Sequence, residues 1–448
     1  MRVDVIETPE LGDRSYVVSE GIVAVVIDPQ RDLDRIYALI ADLGVRVRLV
    51  CETHRHNDYV TGGFALAEAT GATYAVPMNE DVRMPRVPVA DGEVIDVGSL
   101  RVAVVDTPGH TEGHAAYVVS DSVDGATPAV FTGGSLLFGN VGRTDLMSAE
   151  RTRPLAHAQY RSAHRLAALL PDDTVIYPTH GFGSFCSSGP AIVEELSTVG
   201  AERRRNAVFV APSEDAFVDA LVAGLTAFPA YYAHMGALNR DGQPAADLTP
   251  PGPVDAAELA RRLHTGEWVV DLRSRRVFAS SHISGTLGFE LSTSFSTYLG
   301  WLIPWGTPIT FIGADAHEVS DAQRQLARIG IDRPVGATTA PVDELAGGLG
   351  LRSYRVASFK DLGEAGEVRV LDVRRDDEVA GGALPGSLHI PLPELRERVG
   401  EVPGGTPVWV HCASGYRASI AASVLDAAGH EVVLVDDDIA NLPAGALV

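Results

Sequence analysis

Three stretches of this 448-residue chain place histidine directly after an apolar run. "THRHNDYVTGG" at 53–63 gives His54 and His56 two residues apart, with Asp58 behind them. "TPGHTEGH" at 107–114 supplies His110 and His114, and "YPTHGFGSFC" at 177–186 supplies His180. Imidazoles on several strand-end loops converge well on one transition metal, because strands fix their directions. A lone histidine is more often a satisfied polar residue, but three such loops point to a metal centre. A further apolar run, "FTGGSLLFGNVGRTDL" at 131–146, reads as a buried strand that ends in a tight Gly turn at Gly133 and Gly134.

A second chemistry sits near the C-terminus. In "PVWVHCASGYRASIAASVLDAAG", an apolar strand leads through Cys412, Ala413, Ser414, Gly415, Tyr416 and Arg417 into a helix. Small residues let successive N–H groups point inward, the helix dipole adds positive potential, and Arg417 adds a full charge. Such surroundings lower a thiol pKa and hold an anion on the sulfur. A buried cysteine can also be a small hydrophobe; an Arg and a Gly within five residues of Cys412 weigh against that. Cys51 lies in an apolar strand and reads as core. Cys186 follows a Gly-rich loop and reads as a buried thiol rather than a sulfur acceptor. Three scattered cysteines are not a disulfide framework.

The elements that position these residues alternate. "GIVAVVIDP" (21–29), "VRVRLVCETH" (45–54), "TPAVFTGG" (127–134) and "DTVIYPTH" (173–180) read as strands. "LDRIYALIADLG" (33–44) and "RPLAHAQYRSAHRLAALLP" (153–171) have helical spacing. This is an α/β arrangement with chemistry along one rim. "NRDGQPAADLTPPGP" (239–253) is a Pro/Gly-rich linker. Beyond it the chain repeats with a period of about 100 residues, which fits duplicated domains. "EWVVDLRSRRVFASSHISGTL" (267–287) parallels "VRVLDVRRDDEVAGGALPGSL" (368–388), and the alignment sets Gly313 opposite Cys412.

Composition narrows the partners. Hydrophobic residues make up 46% and charged residues 21%, so the chain is globular. A formal charge of −23 disfavours nucleic acid and anionic membrane surfaces. The start "MRVDVIETPELGD" has no signal-peptide pattern and no apolar run spans a bilayer, so a cytoplasmic location is expected, as is a homo-oligomer.

"LDVR", "ALPGSLHIPL" and "VHCASGYRAS" resemble a rhodanese domain with a six-residue active loop. That resemblance implies transfer of sulfane sulfur from a donor such as thiosulfate to a thiol, with Cys412 as nucleophile and Arg417 stabilising the anion. Ala383 stands where the family often has His. "DTPGHTEGHAAYVV", "VGRTDL", "HGFGSFC" and "FPAYYAHMGALNR" (228–240) resemble the metallo-β-lactamase fold, and within it persulfide dioxygenases fused to two rhodanese units. The resemblance implies an αββα sandwich over 1–238, the linker 239–253, a rhodanese-like α/β domain lacking the active Cys over 254–345, and an active one over 352–448, both with parallel sheets. It also implies oxidation of glutathione persulfide, or another low-molecular-weight persulfide, by O₂ at Fe(II), giving sulfite and the thiol.

Carried over residue by residue, His54 and His110 match two iron ligands, and the Asp ligand falls on Gly134. Tyr59 stands where the wider fold usually has His. Three arrangements follow. His54, His56 and His110 form a three-His face for Fe(II) or Zn(II); or Asp58 supplies the carboxylate; or the site holds no metal and the domain is a scaffold. His180 is a further candidate ligand, while His114 reads as structural support. Arg143 would pair with a substrate carboxylate or with Asp145. Tyr231, Tyr232 and Met235 would wall the substrate pocket or pack the core. Metal-dependent thioester hydrolysis is the rival enzymatic reading, and Gly134 and Tyr59 count against its second metal.

Overall fold

The computed structural model describes residues 1–121, 127–189, 195–443 and 445–447. It divides into two compact units, Met1–Asp247 with Leu326–Ile331, and Leu248–Gln325 with Asp332–Val448.

In the first unit, β1 (Arg2–Thr8), β2 (Asp13–Glu20), β3 (Val23–Ile27), β4 (Arg46–Cys51), β5 (Thr73–Pro77) and β6 (Val87–Val89) form one sheet in chain order. The first three run antiparallel and the rest parallel. A second sheet holds β7 (Val94–Val97), β8 (Leu100–Asp106), β9 (Ala115–Asp121), β10 (Ala129–Gly133), β11 (Val175–Pro178) and β12 (Ser197–Thr198). Strand alternation sorts the side chains. Tyr16, Val25, Ile27 and Leu49 of the first sheet meet Val102, Val104, Tyr117 and Phe131 of the second. Ala24, Val26 and Val50 face outward and are covered by Ile36 and Leu66 of the helices Asp34–Leu43 and Gly63–Thr70. Val130 and Ile176 are covered by Ala156, Ala163 and Leu221 of the helices Ala149–Leu169 and Glu214–Ala223. This is the αββα sandwich that the resemblance implied.

The second unit repeats one α/β plan. Its strands are β13 (Trp268–Asp271), β14 (His282–Ile283), β15 (Leu287–Gly288), β16 (Ile309–Ile312), β17 (Gly336–Thr338), β18 (Leu351–Arg352), β19 (Arg355–Ala357), β20 (Arg369–Asp372), β21 (Leu388–His389), β22 (Val408–His411) and β23 (Val432–Val435). One parallel sheet has the order β15-β13-β16-β17, and the other β21-β20-β22-β23-β19, so four strands correspond one to one. A buried ion pair is duplicated with the strands. Asp271 pairs with Arg273 at 2.6 Å, and Asp372 with Arg374 at 2.6 Å. Each arginine also donates to a carbonyl eight residues on, Ser281 O and Gly382 O.

The helix Tyr232–Asp241 continues past residue 238, and the units divide at Asp247/Leu248. The linker residues up to 247 therefore belong to the first unit. Apart from Leu326–Ile331, both repeats fall within the second compact unit.

The Asp372 carboxyl is buried, which opposes ionisation, but the Arg374 guanidinium holds its pKa below the usual carboxylate range. That stabilisation is present above the unfolded Asp pKa and is lost as pH falls through the depressed folded value. Removing one member of a buried pair costs about 3–5 kcal/mol. Asp372→Ala is therefore expected to lower the urea midpoint of the second unit at pH 7, and the difference from wild type should shrink at acid pH.

Candidate metal centre and cysteine loop

Hydrogen bonds tie the loops after β3, β4, β10 and β11 together. Asp28, just past β3, accepts from Thr53 N and Thr53 Oγ1, each at 2.7 Å, and from Thr179 Oγ1. Thr53 Oγ1 in turn lies 2.9 Å from His54 Nδ1, which turns His54 Nε2 inward. His110 Nδ1 donates to Arg143 O at 2.7 Å, and its Nε2 is buried without a partner. His180 Nδ1 lies 2.9 Å from Asp13 and 3.0 Å from Asp58, and its Nε2 is 3.2 Å from His54 Nε2. The three ring centroids are 4.8, 5.2 and 5.3 Å apart. One nitrogen from each of His54, His110 and His180 lies within 4.8 Å of the others. Buried imidazoles converging this way, one with an orphaned nitrogen, fit a metal ion.

Electrostatics follow from burial and the flanking carboxylates. Burial, aided by neighbouring imidazoles, pushes the His54 pKa far down and that of His110 down to about 3, so both are neutral. Burial opposes charging of His180, but Asp58 and Asp13 raise its pKa well above the ordinary value. Asp13 itself is pushed up to about 7 by burial and by Asp58.

The third imidazole differs from the sequence reading. His56 turns away: its Nε2 is 3.3 Å from Glu52, 3.4 Å from Asp28 and 3.0 Å from the Tyr59 hydroxyl. Burial opposes its protonation, yet Asp28 and Glu52 raise its pKa to about 9. Its Nε2 is thus held by carboxylates, while its Nδ1 is buried without a hydrogen-bond partner. His180, the further candidate of the sequence reading, is the imidazole that groups with His54 and His110. Asp58 lies behind His180 rather than in the ring of nitrogens, although it does group with His56 and His180. His114 has both nitrogens engaged, with Thr107 Oγ1 at 2.8 Å and Gly134 N–H at 2.9 Å.

Gly134 is required by packing. A Cβ there would lie 2.6 Å from His110 Cγ, and one on Gly142 would lie 2.7 Å from His110 Nδ1. The imidazole occupies the volume that an Asp at 134 would need. Arg143, weighed as a substrate-binding group, is fully engaged. It binds Asp145 through Nε and Nη2, each at 2.7 Å, and donates to Phe185 O and Thr226 O. Tyr231 and Tyr232 are buried, ring against ring at 5.0 Å, and Tyr232 Oη is 3.8 Å from Cys186 Sγ. Burial raises the Cys186 pKa well above the ordinary thiol value.

In the second unit, Cys412 follows β22 and is buried, with Gly415 N–H directed at its Sγ at 3.2 Å. Gly415 has φ +89°, a conformation open to glycine, and caps the helix Tyr416–Ala427. Arg417 does not point freely at the sulfur: Glu378 holds it through two contacts of 2.5 and 2.7 Å. Ala413 O accepts from Ile439 N at 2.8 Å, Ser414 is exposed, and Tyr416 Oη donates to Glu290 O at 3.0 Å. The matching loop of the first repeat is plugged. Glu318, aligned with Arg417, accepts from Ala314 N at 2.5 Å, and a Cβ on Gly313 would lie 2.8 Å from Val319 Cγ2.

Residues 11–180 match the metallo-β-lactamase superfamily model, and residues 355–442 match the rhodanese-like domain model. The chain is 32% identical over 197 residues to the human mitochondrial persulfide dioxygenase ETHE1, covering 44% of this chain and 68% of that protein. The chain belongs to the metallo-β-lactamase superfamily. In this member the domain is fused to a C-terminal rhodanese-like domain. A hydroxyacylglutathione hydrolase of Pseudomonas entomophila is 34% identical over 157 residues, 35% of this chain and 56% of that protein. The crystal structure of a metallo-β-lactamase from Staphylococcus aureus subsp. aureus COL superposes with a TM-score of 0.69 at 28% identity. It covers 75% of this chain and 98% of its own, well beyond the superfamily segment.

Crowding at residue 134 makes a prediction. Gly134→Ala must displace the His110 ring, and overpacking of this kind costs about 1–3 kcal/mol. Urea denaturation should show that loss. Gly134→Asp should lower metal content measured by elemental analysis rather than raise it.

Proposed function

We propose that this chain is a two-centre sulfur enzyme, a rhodanese-type sulfurtransferase joined to a persulfide-oxidising domain. The observation that carries the reading is Cys412 Sγ at a strand-to-helix turn, facing Gly415 N–H, inside the segment matched as rhodanese-like. The Cys412 thiolate attacks the outer sulfur of a donor such as thiosulfate. The S–S bond breaks, sulfite leaves with the electron pair, and a Cys412 persulfide remains. Glutathione or another small thiol then takes the sulfane sulfur. The 254–345 repeat, with Gly313 in place of cysteine, has no thiol to load.

For the N-terminal domain the reading is oxidation of a persulfide anion by O₂ to sulfite and thiol, in the overall balance RSSH + O₂ + H₂O giving RSH, sulfite and two protons. His54, His110 and His180 would hold the metal, Fe(II) in preference to Zn(II). Iron, when bound, would supply the redox chemistry that O₂ requires. The chain's own residues keep two imidazoles neutral by burial and steady the third against Asp13 and Asp58. Fusion raises the local concentration of any persulfide shared by the two centres.

Thioester hydrolysis remains the rival because of the hydrolase relatives. Against it, His56 is committed to Glu52 and Asp28, and the Tyr59 hydroxyl fills the place of a further ligand.

The test is elemental analysis of anaerobically purified protein together with O₂ uptake on glutathione persulfide. Near-stoichiometric iron with uptake is expected, and His180→Ala should lose both while His56→Ala keeps more metal. Absence of metal and uptake with sulfurtransfer intact would make the N-terminal domain a scaffold. Independently, Cys412→Ser should abolish thiosulfate:glutathione sulfurtransfer and leave O₂ uptake in place; persistence of that transfer would refute the Cys412 assignment.

A further inference from the structure

The cysteine-less repeat reaches the cysteine loop of its partner repeat within the second unit. Asp436, just past β23, has a side chain only 2% exposed, and its carboxylate carries two guanidinium contacts from the first repeat. Arg275 Nε binds Asp436 Oδ1 and Arg276 Nε binds Oδ2, each at 2.7 Å. Arg275 is also held by Glu290 at 2.5 Å, and the Glu290 carbonyl accepts from Tyr416 Oη. On its other side, Asp436 lies against Gly415. A Cβ there would sit 3.1 Å from Asp436 Cα and collide with Oδ1. Gly415 is the residue whose N–H faces Cys412 Sγ at 3.2 Å.

A buried carboxylate beside a thiolate cradle is unfavourable unless it is neutralised, because like charges in a low-dielectric site repel strongly. The loop and its surroundings supply no relief, since Arg417 is matched by Glu378 and Arg375 by Asp377 at 2.9 Å, and Tyr298, which packs on Tyr416, is held neutral by burial. The neutralising charge comes from Arg275 and Arg276.

We propose that Arg275 and Arg276 are positioning residues for sulfur transfer: through Asp436 they hold Gly415 under the Cys412 sulfur and cancel the carboxylate charge beside it. The silent repeat thereby acts on the chemistry of the other without a nucleophile of its own. The proposal rests on the reading of Cys412 as the sulfur carrier. The step it serves is attack of the Cys412 thiolate on the sulfane sulfur of thiosulfate, with cleavage of the S–S bond, departure of sulfite with the electron pair, and formation of the Cys412 persulfide.

The experiment follows sulfur loading of the full chain from thiosulfate, by intact mass, as a function of pH. Cys412→Ser serves as the blank. In R275Q/R276Q the midpoint of loading should move up by about one pH unit, with a loss of roughly tenfold or more in rate at neutral pH. Adding Asp436→Asn to that double variant should return the midpoint towards the parent value, which a general loss of fold would not do. R275K/R276K keeps the charge and should keep the parent midpoint. A double variant with the parent's midpoint and rate would overturn the proposal, as would a shift that Asp436→Asn does not reverse. If the parent fails to load, or Cys412→Ser loads as well, the Cys412 reading falls instead.

Discussion

His110 packs against the backbone at Gly134 and Gly142, and the first unit's site depends on that contact. A Cβ on either glycine would collide with the ring. The ring cannot drift from this niche, because Nδ1 is fixed on Arg143 O and Arg143 is anchored by Asp145 and two further carbonyls. The absent carboxylate therefore leaves no hole. The His110 ring occupies that volume, and its unpartnered Nε2 faces His54 and His180. Carboxyl groups lie one residue further out instead, with Asp13 and Asp58 against His180.

The second unit shows the same economy of volume with the opposite result in its two loops. Both repeats have the strand, loop and helix that make an anion cradle, and both keep the Asp–Arg pair that pins the strand end. In the first repeat a carboxylate from Glu318 takes the backbone N–H, and Val319 fills the space of a residue-313 side chain. In the second repeat the acid is Glu378, from outside the loop, and it binds Arg417 instead of the cradle. The Gly415 N–H faces the sulfur, whereas the N–H that Glu318 takes in the first repeat is that of Ala314, aligned with Ala413. One reversal of charge at corresponding positions, Glu318 for Arg417, separates a plugged cradle from an open one.

The fold was largely legible in the sequence because burial writes itself into periodicity. Val25 and Ile27 face one way and Ala24 and Val26 the other, and each set has its own core. The duplication was legible because the Asp–Arg motif recurs with its strands. The linker's edge was not, since Pro and Gly density marks a loop but not how far the helix Tyr232–Asp241 runs before it. At the metal site, strand-end histidines announced the loops. Their spacing could not say which ring turns inward. His56 is drawn away by Glu52, four residues before it, and by Asp28, far from it in the chain, acids that carry no motif. Arg417 is captured by Glu378, 39 residues earlier. Long-range ion pairs decide where a charged side chain points, and a local pattern does not record them.

Charge balance links the two centres. His54 and His110 are neutral and His180 is braced by Asp13 and Asp58, so on the proposed reading a divalent cation's charge would be met by those acids and whatever anion enters. A persulfide anion brings one negative charge and a soft sulfur donor, which suits that deficit better than a neutral thioester does. At the other centre every guanidinium named around the cysteine loop is matched by a carboxylate, so the sulfur's negative charge rests on the Gly415 N–H and the helix N-terminus. A single sulfur-borne charge is what that cradle can hold. On the proposed reading both centres serve the same small anion, one oxidising its outer sulfur and the other passing it on, and this shared preference gives the fusion a chemical rationale.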